Sequence, residues 1–94
     1  SESIIYQIVD KFIAGLNARL AEQRITVRLT DAAHAYVAEA GFDSVYGARP
    51  LKRFIQRTIE TKLARALIAG EIEMDTTVIV DAVDGNIVLS YEKN

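Results

Sequence analysis

A chain of 94 residues, 50% hydrophobic and 26% charged, has the composition of one domain with one modest core. No apolar run approaches a membrane span and no basic stretch leads into an apolar leader, which points to a cytoplasmic setting, and zero cysteines remove disulfides, thiol nucleophiles and zinc-thiolate sites together. A net charge of -2 argues against general affinity for nucleic acid but leaves room for a local basic patch.

From Ile4 to about Glu22, Ile5, Ile8, Val9, Phe12, Ile13, Leu16 and Leu20 recur at three- and four-residue steps, the pattern of an amphipathic helix. Ser1 or Ser3 is available to cap it, and its abrupt start suggests a piece of a longer polypeptide. Ile25 to Thr30 alternates apolar and polar with β-branched residues, so it reads as a strand with Ile25, Val27 and Leu29 inward. Thr30 is placed to cap a second helix from Asp31 to about Ala40, with Ala32, Ala33, Tyr36, Val37 and Ala40 inward and Gly41 as a left-handed stop.

A nine-residue loop follows, and Pro50 reads as the first residue of a third helix with Arg49 as its cap. That helix runs to about Ala69 on a stripe of Leu51, Phe54, Ile55, Ile59, Leu63, Ala66 and Leu67, with Gly70 ending it and Arg53, Arg57, Glu60 and Arg65 on the wet side. Thr76 to Ala82 and Ile87 to Tyr91 are strands joined by a tight Asp84-Gly85-Asn86 turn. The order helix-strand-helix-helix-strand-strand predicts an α+β fold, three helices with a small three-stranded sheet, over residues 1–94 as a single domain.

Arg49, Lys52 and Arg53 give the third helix the wrong sign of charge at its start. The free N–H groups there are already electropositive, so each cation costs roughly a few tenths of a kcal/mol unless an anion sits nearby. Two readings follow: a seat for phosphate, or solvated side chains paired with Asp43 or Glu60.

Other chemistry is thin. The single histidine, His34, has no triad partner or second ligand in view and is assigned no role. Glu71, Glu73 and Asp75 lack the spacing of a calcium loop and read as an acidic connector. There is no phosphate-binding loop of the G-x-x-x-x-G-K-[ST] type, so the chain alone is not expected to hydrolyse anything. The element order also fits a winged-helix DNA-binding module using the third helix, with Arg49, Lys52, Arg53, Gln56 and Arg57 as groove readers. Against it stand an acidic hairpin tip, Asp81 to Asn86, and the long loop between the second and third helices.

The segment Gly41-Phe42-Asp43-Ser44-Val45-Tyr46-Gly47-Ala48-Arg49-Pro50-Leu51-Lys52-Arg53-Phe54-Ile55-Gln56 closely resembles the signature of the Clp-type AAA+ unfoldases, the ClpB, ClpC and ClpE groups, in the C-terminal small (lid) subdomain of their second ATPase module. The likeness extends from the Leu16 to Glu22 run to the terminal hairpin; Ser44 departs from the proline most members carry. The resemblance implies that Arg49 is the sensor 2 arginine, meeting the phosphates of ATP or ADP held with Mg by the large subdomain. Gly47, Ala48, Pro50, Lys52 and Arg53 would support it, with Phe42 and Tyr46 holding the loop or meeting the adenine side. It further implies a parent ATPase that forms homo-hexamers, in which this lid packs on the large subdomain of its own chain and of the neighbouring protomer. Protein substrates are implied too and, in members that serve proteases, a ClpP-type peptidase. Neither nucleic acid nor membrane is an expected partner, and no nucleotide is expected on the fragment alone.

Overall fold

The computed structural model describes residues 2–94, in which the expected apolar stripe becomes the inner face of α1 (Glu2–Leu20), with Val9, Leu16 and Leu20 buried. Ser3 lies inside this helix, while Ser1 is outside the described residues. A short 3-10 turn, Ala21–Gln23, ends in Arg24, whose φ of 57° reverses the chain into β1 (Ile25–Leu29). Ile25 and Val27 are buried, as alternation requires.

Asn17 on α1 closes the outer edge of β1. Its Nδ2 donates to the Val27 carbonyl at 3.1 Å, and its Oδ1 accepts from the Val27 N–H at 2.6 Å. The side-chain amide thus replaces a neighbouring strand at the middle of an otherwise open edge.

Thr30 caps α2 (Asp31–Ala40) as expected, accepting from Ala33 N at 3.1 Å while donating to Asp81 Oδ1 at 2.8 Å. The buried face of α2 differs from the expected one. Ala33, Val37 and Ala38 are buried, Tyr36 is half-buried, and Ala32 and Ala40 are exposed. Alanines on every side of this helix give little contrast from which to read its inward face.

The third helix is one rod with a change of winding: α3 (Leu51–Ile55), a π-turn (Gln56–Glu60) and α4 (Thr61–Ile68). A regular α-helix was expected. The cause lies in the stripe, since Leu51, Ile55, Ile59 and Leu63, all buried, are spaced by four residues three times running. In an α-helix each such step turns the side chain about 40° past its predecessor, and three would carry Leu63 well away from the core. The wider π-turn absorbs that drift, and Thr61 marks it by sending both its N–H and its Oγ1 to the Gln56 carbonyl.

Gly70 and Glu71 close the rod, donating to Leu67 O and Ala66 O at 3.1 and 3.0 Å. Each acid of the following connector has a partner: Tyr91 on Glu71, Lys93 on Glu73 and a two-pronged Arg24 on Asp75. β2 (Thr76–Val83) pairs in parallel with β1 and antiparallel with β3 (Asn86–Lys93), giving the order β1-β2-β3. Asp84 and Gly85 both take positive φ, 51° and 75°, as a two-residue hairpin turn demands. The parallel pair needs a crossover, and α2, the loop and the rod supply it. Helices cover one face of the sheet, where Val27, Val78, Val80 and Ile87 are buried, so the loop entering the rod is anchored at both ends.

Candidate functional site

The loop Gly41 to Pro50 is held by its own backbone and one carboxylate. Asp43 and Gly47 exchange two hydrogen bonds, N to O at 2.8 and 2.7 Å, closing a five-residue ring. Inside it Asp43 Oδ1 accepts from Val45 N at 2.7 Å and Tyr46 N at 2.9 Å. These two amides, Tyr46 first, hold the Asp43 carboxyl below the ordinary carboxylate range. Gly47 has φ +65° with nothing within 4 Å of a would-be β-carbon, so glycine is favoured there by conformation and not by space.

Gly41 is the opposite case. It was expected to be a left-handed stop, but its φ is -86°. What it provides is room: a β-carbon there would overlap Leu51 Cδ1 and approach the Val37 carbonyl to 3.0 Å. The end of α2 and the start of the rod therefore touch through backbone and a fully buried leucine.

From the ring the chain steps into the rod by two successive turns, Arg49 N to Tyr46 O at 3.2 Å and Leu51 N to Ala48 O at 3.0 Å. The Pro50 carbonyl then accepts the first helical bond, from Phe54 N at 3.0 Å. Pro50 thus sits at the cap position, one residue earlier in the helix than expected, and Arg49 belongs to the preceding turn. Arg49 is exposed, its guanidinium 5.9 Å from the centre of the Tyr46 ring.

Neither acid expected to neutralise the cluster does so. Asp43 faces its own loop amides, and Glu60 bonds Arg19 of α1 at 2.7 Å. Among the described residues Arg49, Lys52 and Arg53 form no salt bridge. The three fall within five successive residues, but Lys52 and Arg49 face different surroundings. Lys52 lines a groove against α1 with Lys11, Phe12 and Arg19, whereas Arg49 lies over Tyr46. Phe42, Val45 and Tyr46 are 50%, 78% and 63% exposed, so the aromatics do not hold the loop by packing; they give it an apolar outer face beside Arg49.

Away from this loop, His34 packs at a tilt against Tyr6 with ring centres 4.4 Å apart and places Nε2 3.1 Å from Asp10 Oδ1, tying α2 to α1. Sequence reasoning missed a second basic site, around Arg57, Lys62 and Arg65, because the π-turn that gathers these residues was not foreseen.

A family model described as the C-terminal, D2-small domain of ClpB protein matches residues 1–80. The chain is 57% identical over 82 residues to a chaperone protein ClpB of Bacillus cereus, covering 87% of this chain and 10% of the relative. It is 54% identical over 80 residues to the ClpB of Nitratidesulfovibrio vulgaris, covering 85% and 9%, and 43% identical over 93 residues to that of Corynebacterium efficiens, covering 99% and 11%. The chain therefore spans about a tenth of the length of the curated relatives it matches.

Proposed function

This chain belongs to the family of C-terminal D2-small domains of ClpB, and from that premise we propose that it is the nucleotide-responsive lid of a Clp-type AAA+ chaperone, with Arg49 as the group that meets phosphate. The observation that carries the reading is the state of Arg49. It is exposed at the step between a closed loop and a helix, and Asp43 and Glu60, the acids expected to neutralise it, are engaged elsewhere.

A planar, permanently charged guanidinium suits the equatorial oxygens of a transferring phosphoryl group, and one held on a rigid turn loses little freedom on meeting them. ATP, when bound, supplies the phosphoanhydride whose cleavage drives the cycle. In this reading Mg and most phosphate contacts belong to the large AAA+ subdomain, and this chain contributes Arg49, fixed by the Asp43–Gly47 ring and by Pro50. Lys52 and Arg53 add positive potential, with their side chains also available to the large subdomain. Phe42, Val45 and Tyr46 present the apolar surface that would cover the nucleotide or seat against that subdomain.

The stiffness of the body matters as much as the charge. Leu51 and Ile55, two and six residues after Arg49, are buried, so a pull transmitted through that turn would move the rod and the core it packs in. Such a lid would pass the nucleotide state to a neighbouring protomer in a homo-hexamer and so to the unfolding or disaggregation of protein substrates. The name chaperone carried by the relatives favours this over delivery to a ClpP-type peptidase. The test is Arg49→Ala in a ring whose D2-small segment is this chain: ATP turnover or nucleotide affinity should fall while the lid stays folded, and unchanged ATPase kinetics would sink the sensor role.

A further inference from the structure

We propose that the groove between the rod and the tip of the β2–β3 hairpin is a docking site for an acidic peptide segment of a partner polypeptide. It lies outside the Gly41 to Arg53 stretch and has an opening of about 240 Å³ lined by Arg57, Lys62 and Arg65, with Thr58, Thr61 and Tyr36 between them.

Three observations carry this. The first is charge: the rod bears Lys52, Arg53, Arg57, Lys62 and Arg65 against one acid, Glu60, which Arg19 already holds. Among the described residues the three cations of the groove form no salt bridge, although the chain as a whole is acidic. The second is the winding of the rod. Five residues along a regular α-helix set Arg57 and Lys62 about 140° apart, on different faces. The π-turn that keeps the apolar stripe on the core stacks positions five apart, and so brings these two cations to one groove with Arg65.

The third observation selects the partner. The hydroxyl protons around the groove are spent on the protein: Thr58 donates to Phe54 O at 2.7 Å, Thr61 to Gln56 O at 3.0 Å and Tyr36 to Gly85 O at 3.1 Å. With their protons used, these three hydroxyls have only oxygen lone pairs left to offer a ligand. An acidic peptide brings carboxylates for the cations and backbone N–H groups for those oxygens. A DNA sugar-phosphate backbone brings phosphates but no donor for them, so a strand would have to turn its bases into the groove to supply one, and a bare anion leaves them unused.

The experiment is a fluorescence-anisotropy titration of this chain with a labelled glutamate peptide of about ten residues, at low and physiological salt. Binding should weaken about tenfold in the combined Arg57→Gln, Lys62→Gln, Arg65→Gln variant and weaken with salt in the original chain. Arg28→Gln, on the exposed face of β1, should leave it within about twofold. In the unaltered chain, amide shifts on adding peptide should cluster at Thr58, Thr61 and Asn86, a readout that stands even where the triple variant misfolds. Equal peptide affinity in a folded triple variant, shifts centred elsewhere, or tighter binding of a single-stranded oligonucleotide of similar length would each overturn the proposal.

Discussion

Leu51 Cδ1 occupies the space that a β-carbon on Gly41 would need, and this contact joins the end of α2 to the start of the rod that follows Arg49. Leu51 is fully buried, so its methyl has no solvent to retreat into, and the Val37 carbonyl blocks the other side at 3.0 Å. Gly41→Ala is expected to destabilise the fold by about 1–3 kcal/mol from overpacking, offset in part by the roughly 0.4–1 kcal/mol that alanine gains by stiffening the unfolded chain. A drop in Tm of several degrees in a thermal melt is the expected reading, about 4–8 °C per kcal/mol at this size.

Gly47 should answer the same substitutions in the reverse order. Its φ of +65° excludes most side chains, while the open space around it excludes none on size. Alanine should cost about 1–2 kcal/mol there, and Gly47→Asn should recover part of the loss because asparagine tolerates the left-handed region. At Gly41 asparagine should be worse than alanine. Melts of the four variants decide it, and a shared ranking at both positions would contradict the two causes assigned here.

The clasp of Asn17 on Val27 predicts an asymmetry between near-isosteres. Asn17→Ala leaves the Val27 N–H and carbonyl without their partner at a half-covered edge, a loss of about 1–3 kcal/mol. Asn17→Asp keeps an acceptor for the N–H but sets a carboxylate against the carbonyl, so near neutral pH it should rescue little. Hydrogen exchange at the Val27 amide should quicken in the alanine variant, and opening that edge should raise the tendency to self-associate, visible in sedimentation.

The depressed titration of Asp43 fixes the sign of a pH effect on the loop. Its folded-state value lies below the ordinary 3.8, so the contribution of its ionised form is complete above that value and disappears as pH falls through the lower, folded one. In an NMR titration the Asp43 carboxyl and the Val45 and Tyr46 amides should share a midpoint below 3.8. Asp43→Asn should abolish that titration while keeping one oxygen to accept from the two amides. A midpoint at or above the ordinary value would mean that the ring is open in solution.

Much of this architecture was legible from local pattern because local rules decide it. The stripe of α1, the alternation in β1, the Thr30 cap and the Asp84-Gly85 turn each depend on residues a few positions apart, and all stand as expected. The family, too, was legible in the Gly41 to Gln56 signature. What escaped depends on distant partners. Gly41 answers to Leu51 ten positions on, and Arg24 closes on Asp75 across the sheet end, with nothing near either residue to announce it. The π-turn is an intermediate case. A single four-residue step suits an α-helix as well as a three-residue one, and only the run Leu51, Ile55, Ile59, Leu63 carries the warning.

For Arg49 the informative comparison is among three replacements, alanine, lysine and glutamine, in a ring carrying this chain as its D2-small segment. If the guanidinium contributes only charge, Arg49→Lys should retain most ATPase activity and Arg49→Gln should not. If it grips phosphate with two parallel N–H groups, lysine should fail nearly as badly as glutamine, since an ammonium is a point charge without the planar fork. Loss of a charge-assisted contact of this kind is worth about 1.5–3 kcal/mol, a fall of roughly tenfold to a hundredfold in turnover or nucleotide affinity. Because Arg49 is exposed and among the described residues its one aromatic contact is Tyr46 at 5.9 Å, none of the three should move the melting temperature of this chain by more than about a degree or two. A large thermal shift would assign Arg49 to the fold, and a small one with lost turnover would assign it to the phosphate.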